Sequence, residues 1–408
     1  MKFPRTADLL INDVLNSLKP NTTIADLISV KDSCFIIDDT KISLNASNHI
    51  FAVGKAASQQ AKAMKDFFIL HKLEDKLGKV FAYTKRDHSV EDENISQIEG
   101  DHPFLSNDNL KNTKIFLEEI SKLPKEDRVF VMISGGASSL LELPKEGIDF
   151  DLQQKIYKEL VLGGKDIRFI NAVRKAMSQT KNGGLLKAIS CENISCFVTS
   201  DIPGDHLQDV GSGPMHPVML DYEKINDFLK GYGIQLEAEE NSLSEPQSFL
   251  FQSASRCCEY LKERHANLKV GPVFDADFED VLKAHLDLIP EKSEILVTSG
   301  EAALQVNEKP GRGGRNTHFV LALAESLYKD PNYRDLHIIS MGTDGTDGPT
   351  DAAGAYINFD LYQKNLDAKK YLRNYDSYTY FEKAGSLIKT GPTGTNIMDV
   401  RFCWREKN

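Results

Sequence analysis

The sequence predicts an α/β protein of two domains, each built on a mainly parallel sheet flanked by helices. Three observations lead there. Five short apolar runs, at residues 50–53, 129–133, 196–200, 295–299 and 336–340, each end in a small or acidic turn. Longer stretches with helical patterning separate them, as crossover helices separate parallel strands. The length of 408 residues implies more than one core, at roughly 150 residues per domain. In open parallel sheets ligands bind beyond the carboxyl ends of the strands, so the turns are where a site is expected.

Leu9, Leu10, Val14 and Leu18 recur at helical spacing and predict a surface helix. Asp8, Asn12 and Asp13 interrupt any continuous apolar segment of the kind an export signal needs. A stretch of little pattern reaches to about residue 47. After the strand at 50–53, Ala57, Ala61, Met64 and Phe68 form the apolar stripe of a helix. A strand is expected at 79–83, and then a polar region over 88–109 that contains His102-Pro103, where proline favours an extended or turn conformation. A helix over 110–123 carries Ile115, Ile120 and Leu123 among its apolar positions.

Ile167, Ile170, Val173 and Met177 mark one face of a further helix, leaving Arg168, Arg174 and Lys175 on others, and Asn182-Gly183-Gly184 ends it. Residues from about 221 to 287 are rich in charge and helix formers and lack Gly-rich turns, so they read as scaffold and connection. The strand-and-turn pattern resumes at Glu294. Placing the boundary there gives domains 1–285 and 286–408.

A net charge of −11 argues against nucleic acid or an anionic membrane as the main partner, and favours a small molecule gathered by local basic groups. No run approaches the roughly 18 apolar residues that span a bilayer. Six scattered cysteines form no CxxC pair and no zinc spacing. Reduced thiols in a cytoplasmic protein are the expectation.

Familiar nucleotide motifs are missing. Gly54-Lys55 lacks the first glycine and the Ser/Thr of a phosphate-binding P-loop, and no G-x-G-x-x-G follows a strand. What remains is a set of anion-friendly turns at strand-to-helix junctions. The 134–139 loop, with Ser134, Gly135, Gly136 and Ser138, exceeds what a tight turn needs. Lys55 is placed to act as a point charge on a transferring phosphoryl group, or is a solvated lysine at a helix start. Arg312 and Arg315, set among glycines, offer bidentate contacts to phosphate or carboxylate, or sit exposed on a hairpin. Asp201, Asp205, Asp344 and Asp347 suit Mg²⁺ held through one or two carboxylates, with the rival reading that some cap helices. For Asp351 the cap is preferred.

Taken in order, Val53-Gly54-Lys55-Ala56-Ala57, His102-Pro103, Ile133-Ser134-Gly135-Gly136 with Ser138, Asp166-Ile167-Arg168 to Arg174-Lys175, 200–205 with Ser212-Gly213-Pro214, Gly313-Gly314-Arg315-Asn316, 342–354 and 390–396 form an ordered set. Over nearly the whole chain this set resembles the glycerate kinases built from an N-terminal glycerate-kinase domain and a C-terminal MOFRL domain, some of which have carried the name hydroxypyruvate reductase. The resemblance implies ATP-dependent phosphorylation of D-glycerate, usually to 2-phosphoglycerate, with the active site in the interdomain cleft and with ATP and Mg²⁺ as cofactors. It implies Lys55 and Arg315 as catalytic residues, and Ser134, Gly135, Gly136, Ser138 and Arg168 for the acid. Nucleotide contacts are expected from Asp201, Gly204, Gly342, Thr343, Asp344 and Thr393, and metal contacts from Asp201, Asp344 and Asp347. The expected partners are D-glycerate and ATP, with a homodimer as the assembly to test. Asp101, Ala137, Gly211 and Met215 stand where glycine, glycine, alanine and threonine are usual, which leaves a related hydroxy acid as an alternative substrate. A nicotinamide-dependent reductase is a second alternative, and a non-catalytic small-anion binder a third that would not need Lys55, Arg315 and the carboxylates together.

Overall fold

The computed structural model describes residues 3–45, 47–238, 244–362 and 366–406. The chain forms two compact units. The N-unit comprises Thr23–Ser200 and Asp205–Phe251, and the C-unit comprises Met1–Thr22, Asp201–Gly204 and Gln252–Asn408. The structure therefore divides elsewhere than at residue 285, for a reason of apolar matching. Leu10 and Val14 of helix Arg5–Ser17 join Cys257 and Leu261 of helix Ala254–Arg264 in one core cluster with Val297, Ile339 and Phe402.

The N-unit opens with an antiparallel meander of β1 (Ile28–Lys31), β2 (Cys34–Ile37) and β3 (Thr40–Ser43). Strands of four residues are too short to show a period, so this region looks patternless in the sequence. The main sheet holds β4 (Asn48–Val53), β5 (Leu77–Lys85), β6 (Ser96–Gly100), β7 (Arg128–Ile133), β8 (Asn193–Thr199) and β9 (Gln247–Gln252), in the order β6-β5-β4-β7-β8-β9. From β6 to β8 every neighbouring pair is parallel. Both faces are covered, and so β4 and β7 are buried at every residue. Helix Ala57–Leu70 packs Met64 and Phe68 onto Ile50, Ala52, Phe130 and Met132. On the opposite face the Phe51 and Phe81 rings stack at 5.6 Å, and Phe116 of helix Asn107–Ser121 meets both edge-on.

The C-unit sheet holds β10 (Leu268–Asp277), β11 (Ile295–Ala303), β12 (Leu336–Gly342), β13 (Gly354–Ile357), β14 (Leu387–Ile388) and β15 (Asp399–Arg405), in the order β10-β11-β15-β12-β13-β14. Only β10 and β11 run parallel; the remaining neighbours are antiparallel. The expectation of mainly parallel sheets thus holds for the N-unit and fails for the C-unit. An apolar run reports burial on both faces and says nothing about direction. Leu296, Ile338 and Cys403 face the cluster around helix Arg315–Leu327, while their neighbours Val297, Ile339 and Phe402 face helix Arg5–Ser17. Strand β15, inserted between β11 and β12, is doubly buried like a parallel strand. Edge strand β10 shifts register between Val270 and Val273, around Gly271-Pro272, which is where a sheet tolerates proline.

Among the described residues no helix is long and apolar enough to cross a membrane. All six cysteines are buried and unpaired with one another.

His285 gives the C-unit a pH dependence. It is 1% exposed, with Nδ1 2.7 Å from the Val281 carbonyl oxygen and Nε2 2.8 Å from Thr298 Oγ1. A neutral ring donating from Nδ1 and accepting at Nε2 satisfies both contacts. Burial pushes its pKa from 6.5 down to about 4, and does the same to His318. The unfolded chain takes up these protons first, so the associated stability is complete above the unfolded value and is lost as pH falls toward 4. Each group contributes a slope of about 1.4 kcal/mol per pH unit across that window. Urea midpoints should fall between pH 6.5 and 5, and fall less in His285→Gln; equal slopes in variant and wild type would refute the assignment.

Candidate active site

In the N-unit, four adjacent strands deliver polar groups at their carboxyl ends. In sheet order, His102 follows β6, Lys85 closes β5, Lys55 follows β4 and Ser134 follows β7. The Lys55 amide donates to the Gly135 carbonyl at 2.9 Å, and the Ala56 amide donates to Ser134 Oγ at 3.2 Å. Gly54 holds φ +129°, and a Cβ there would lie 2.2 Å from Ser134 Oγ. Gly136 holds φ +86°, and its absent Cβ would lie 2.9 Å from Lys55 Cγ and 3.1 Å from His102 Cδ2. Only glycine fits at either position, because the loop backbone, the Lys55 stem and the His102 ring share one small space.

The loop hydroxyls are already engaged. Ser138 Oγ lies 2.8 Å from Ser212 Oγ, and Ser139 Oγ donates to the Gly136 carbonyl at 3.1 Å. The Gly135 and Gly136 amides have no hydrogen-bond acceptor among the described residues, so a ligand would meet backbone N–H groups and the Lys55 ammonium. Two departures noted in the sequence meet here as well. A Cβ on Gly211 would lie 3.0 Å from the Ala137 Cβ, so the two positions share one small gap. Arg168 is exposed in the first turn of helix Ile167–Ala176, where Asp166 accepts the Arg168 amide at 2.8 Å.

Beneath the loop, Lys181 donates to the Ser138 carbonyl at 2.8 Å and pairs with Glu142, both side chains being fully buried. Lys181→Met should destabilise the protein by about 3–5 kcal/mol, because it strands the Glu142 charge. Chemical unfolding measures this, and a loss under about 1 kcal/mol would count against a charged pair.

The C-unit contains a cavity of about 610 Å³ lined by Gly313, Gly314, Arg315, Asp344, His318 and Tyr375, with further apolar wall from Leu304 and Val306. Arg315 opens helix Arg315–Leu327. Its Nε lies 2.7 Å from Asp399 Oδ2 and its Nη2 lies 2.9 Å from Glu301 Oε1. Burial opposes its charge, but Asp399 and Glu301 outweigh burial and hold the guanidinium firmly protonated. Asp399, 1% exposed, also accepts from Arg401 Nη2 at 3.1 Å and from Asn316 Nδ2 at 3.0 Å. One helical turn on from Arg315, the His318 ring stacks on Tyr375 at 5.3 Å.

Several expected residues have other tasks. Asp347 is 1% exposed and accepts from the Asn316 and Thr317 amides at 2.8 Å each and from Thr317 Oγ1 at 2.7 Å. Both its oxygens cap the helix that carries Arg315, and the residue also lines the cavity. Thr343 Oγ1 donates to the Met398 carbonyl at 2.6 Å, and Thr393 Oγ1 lies 2.6 Å from the Thr343 carbonyl oxygen. These hydroxyls brace neighbouring loops. Asp351, expected as a cap, is exposed instead and pairs with Lys389 at 2.8 Å and with Tyr378 Oη at 2.6 Å. Gly342 and Asp344 do line the cavity. Asp344 is exposed, with Oδ1 accepting the Thr346 amide at 2.9 Å. Asp201 and Gly204 lie in the short segment grouped with the C-unit, and Asp205 in the N-unit. No cluster of three or more His, Cys, Asp or Glu side chains suited to a metal occurs among the described residues.

The sequence reading missed Asp399, Glu301, Arg401 and Asn316 as the setting of Arg315. Glu301 had a signal, since only Gly300 separates it from the apolar run at 295–299. Asp399 and Arg401 sit two apart on one face of β15, but that strand was not expected at all.

Comparison with known proteins defines the class. Residues 6–244 match the family described as Domain of unknown function (DUF4147), and residues 294–399 match the MOFRL family. The chain belongs to the glycerate 2-kinase family that joins these two domains. It is 32% identical to the D-glycerate 2-kinase of Thermotoga maritima over 89% of this chain and 92% of that one. It is 29% identical to the glycerate 2-kinase of Pyrococcus horikoshii over 96% and 94%. The crystal structure of a Thermotoga maritima glycerate kinase superposes with a TM-score of 0.84 at 29% identity, covering 98% of both chains. The protein is accordingly an enzyme of the kinase type.

Proposed function

We propose that the protein transfers the γ-phosphoryl group of ATP to the C2 hydroxyl of D-glycerate, giving 2-phosphoglycerate and ADP. The observation that carries this reading is the kinship with D-glycerate 2-kinase over nine-tenths of the chain, coupled to an arginine-lined cavity in the C-unit. The cavity suits a nucleotide: apolar and aromatic wall toward Leu304, Val306 and Tyr375, and charge toward Arg315 and Asp344. Lys55 of the N-unit and Arg315 of the C-unit are the cations assigned to phosphate charge, and stabilising such charge is most of what a protein contributes to phosphoryl transfer. The Gly135 and Gly136 amides orient the acid.

Magnesium, when bound, would supply positive charge to offset the negative charge of the nucleotide phosphates. Asp344 fits this role, being exposed on the cavity wall with one oxygen engaged by Thr346. Asp201 and Asp347 are the further carboxylates assigned to the metal, Asp347 with both oxygens already engaged at the N-terminus of helix Arg315–Leu327. Phosphate oxygens and water complete such a shell without a cluster of protein ligands.

The test is an ADP-coupled assay with D-glycerate and Mg²⁺, with the product carbon read by phosphorus NMR. ADP release with 2-phosphoglycerate supports the reading, a 3-phosphoglycerate signal corrects its regiochemistry, and no turnover by folded protein overturns it.

A further inference from the structure

Two cations stand at neighbouring strand ends of the N-unit, and the reaction as proposed uses one of them. Tyr83 of β5 accepts the Gly54 amide at 3.1 Å, and Thr84 Oγ1 donates to the Lys55 carbonyl at 3.3 Å, so Lys55 and Lys85 leave the sheet side by side. Lys85 pairs in register with Gly100 of β6, two residues before His102. Lys85, His88 and His102 line a cavity of about 560 Å³ together with Arg86, Asp87 and Asp101.

The charges around that cavity do not cancel locally. Asp101 is taken by Arg86, whose Nε lies 2.9 Å from Asp101 Oδ1 and whose Nη2 lies 3.4 Å from Asp108. Asp87 is exposed. Neither Lys55 nor Lys85 has a carboxylate within ion-pair distance among the described residues. Burial, then Lys55 and Lys85, push His102 down to about 4. Burial and Lys85 lower His88. Two half-buried ammonium groups beside neutral imidazoles, which can each donate one N–H, make a setting that an anion completes. One strand spacing, about 4.8 Å, separates the Lys85 position from the Lys55 position, and a three-carbon hydroxy acid has that reach.

We propose that Lys85, supported by His102 and His88, recognises the carboxylate of the acid substrate, placing the acid's hydroxyl toward Lys55 and the Gly136 backbone. This rests on the kinase reading above, and it moves charge recognition from the serine loop to the ends of β5 and β6. The geometry that supports it is the sheet order: carboxylate at β6 and β5, reacting hydroxyl at β4 and β7. Neutral three-carbon alcohols would then be poor substrates because nothing would compensate the Lys85 charge.

Steady-state kinetics and calorimetric titration on Lys85→Met, Lys85→Arg and wild type test the proposal. Lys85→Met should raise both KM and Kd for D-glycerate by about 30- to 100-fold, leave Kd for ATP unchanged and lower kcat less than fivefold; Lys85→Arg should recover most of the loss. A KM for D-glycerate within twofold of wild type overturns it. Loss of ATP affinity along with glycerate affinity also overturns it, since Lys85 would then act by holding the fold. If wild type itself does not phosphorylate D-glycerate, the kinase reading has failed; if wild type is active and Lys85→Met is unaffected, only this inference has.

Discussion

Lys55→Ala is expected to lower kcat for D-glycerate phosphorylation by on the order of 10³-fold, equivalent to about 4 kcal/mol of transition-state stabilisation. The expectation follows from position. Lys55 is fixed at both ends of its backbone, through its amide to Gly135 and its carbonyl to Thr84, and its stem is wedged against Gly136. The ammonium is therefore preorganised, and no carboxylate competes for it among the described residues. Alanine removes the charge while leaving these backbone bonds, and it relieves the crowding at Gly136. Stability should change little, which separates a catalytic defect from unfolding. The measurement is single-turnover phosphoryl transfer beside urea unfolding. Loss of under tenfold in a folded variant would remove Lys55 from the reaction.

Asp399→Asn is expected to destabilise the protein by about 3–5 kcal/mol and to depress kcat as well. Asp399 is fully buried between two guanidinium groups, and it accepts from Arg315, Arg401 and Asn316 together. Burial raises its pKa, and the charges of Arg401 and Arg315 oppose that shift without cancelling it. Neutralising it leaves Arg401, 1% exposed, without a carboxylate partner and leaves Arg315 with Glu301 alone. Removing one partner from a buried charge network is costly because the remaining charge keeps its desolvation penalty. A lowered urea midpoint with an unchanged slope would show the stability loss. Stability within about 1 kcal/mol of wild type would mean that the network is not charged as drawn.

What the sequence conveyed depended on burial and length. Strands β4, β7, β8, β11 and β12 were legible because both faces of each sheet are covered, and the turns after β4 and β7 were legible because close backbone approach demands glycine at 54 and 136. Strand β15 was not expected, although it is as buried as its neighbours: Asp399, Arg401 and Arg405 break its apolar run, and two of these are the charges that fix Arg315. The same residues that make the site obscure the strand that carries it. Strand β10, with Gly271-Pro272 inside it, violated the usual signature for the opposite reason, being an exposed edge. Roles of individual aspartates were the least legible part. Asp344 and Asp347 lie three apart in one glycine-rich loop and both line the cavity, and only the position of the Asn316 and Thr317 amides shows that Asp347 also caps a helix.

The contact between Ala137 and Gly211 makes the two positions one site as far as substitution is concerned. A Cβ on Gly211 would lie 3.0 Å from the Ala137 Cβ and 3.5 Å from Ile133 Cγ2, so the gap beside the serine loop takes one methyl group without displacement and not two. A change at either position is therefore felt at the other: alanine at 211 alone measures crowding, whereas exchanging both residues together keeps the filled volume.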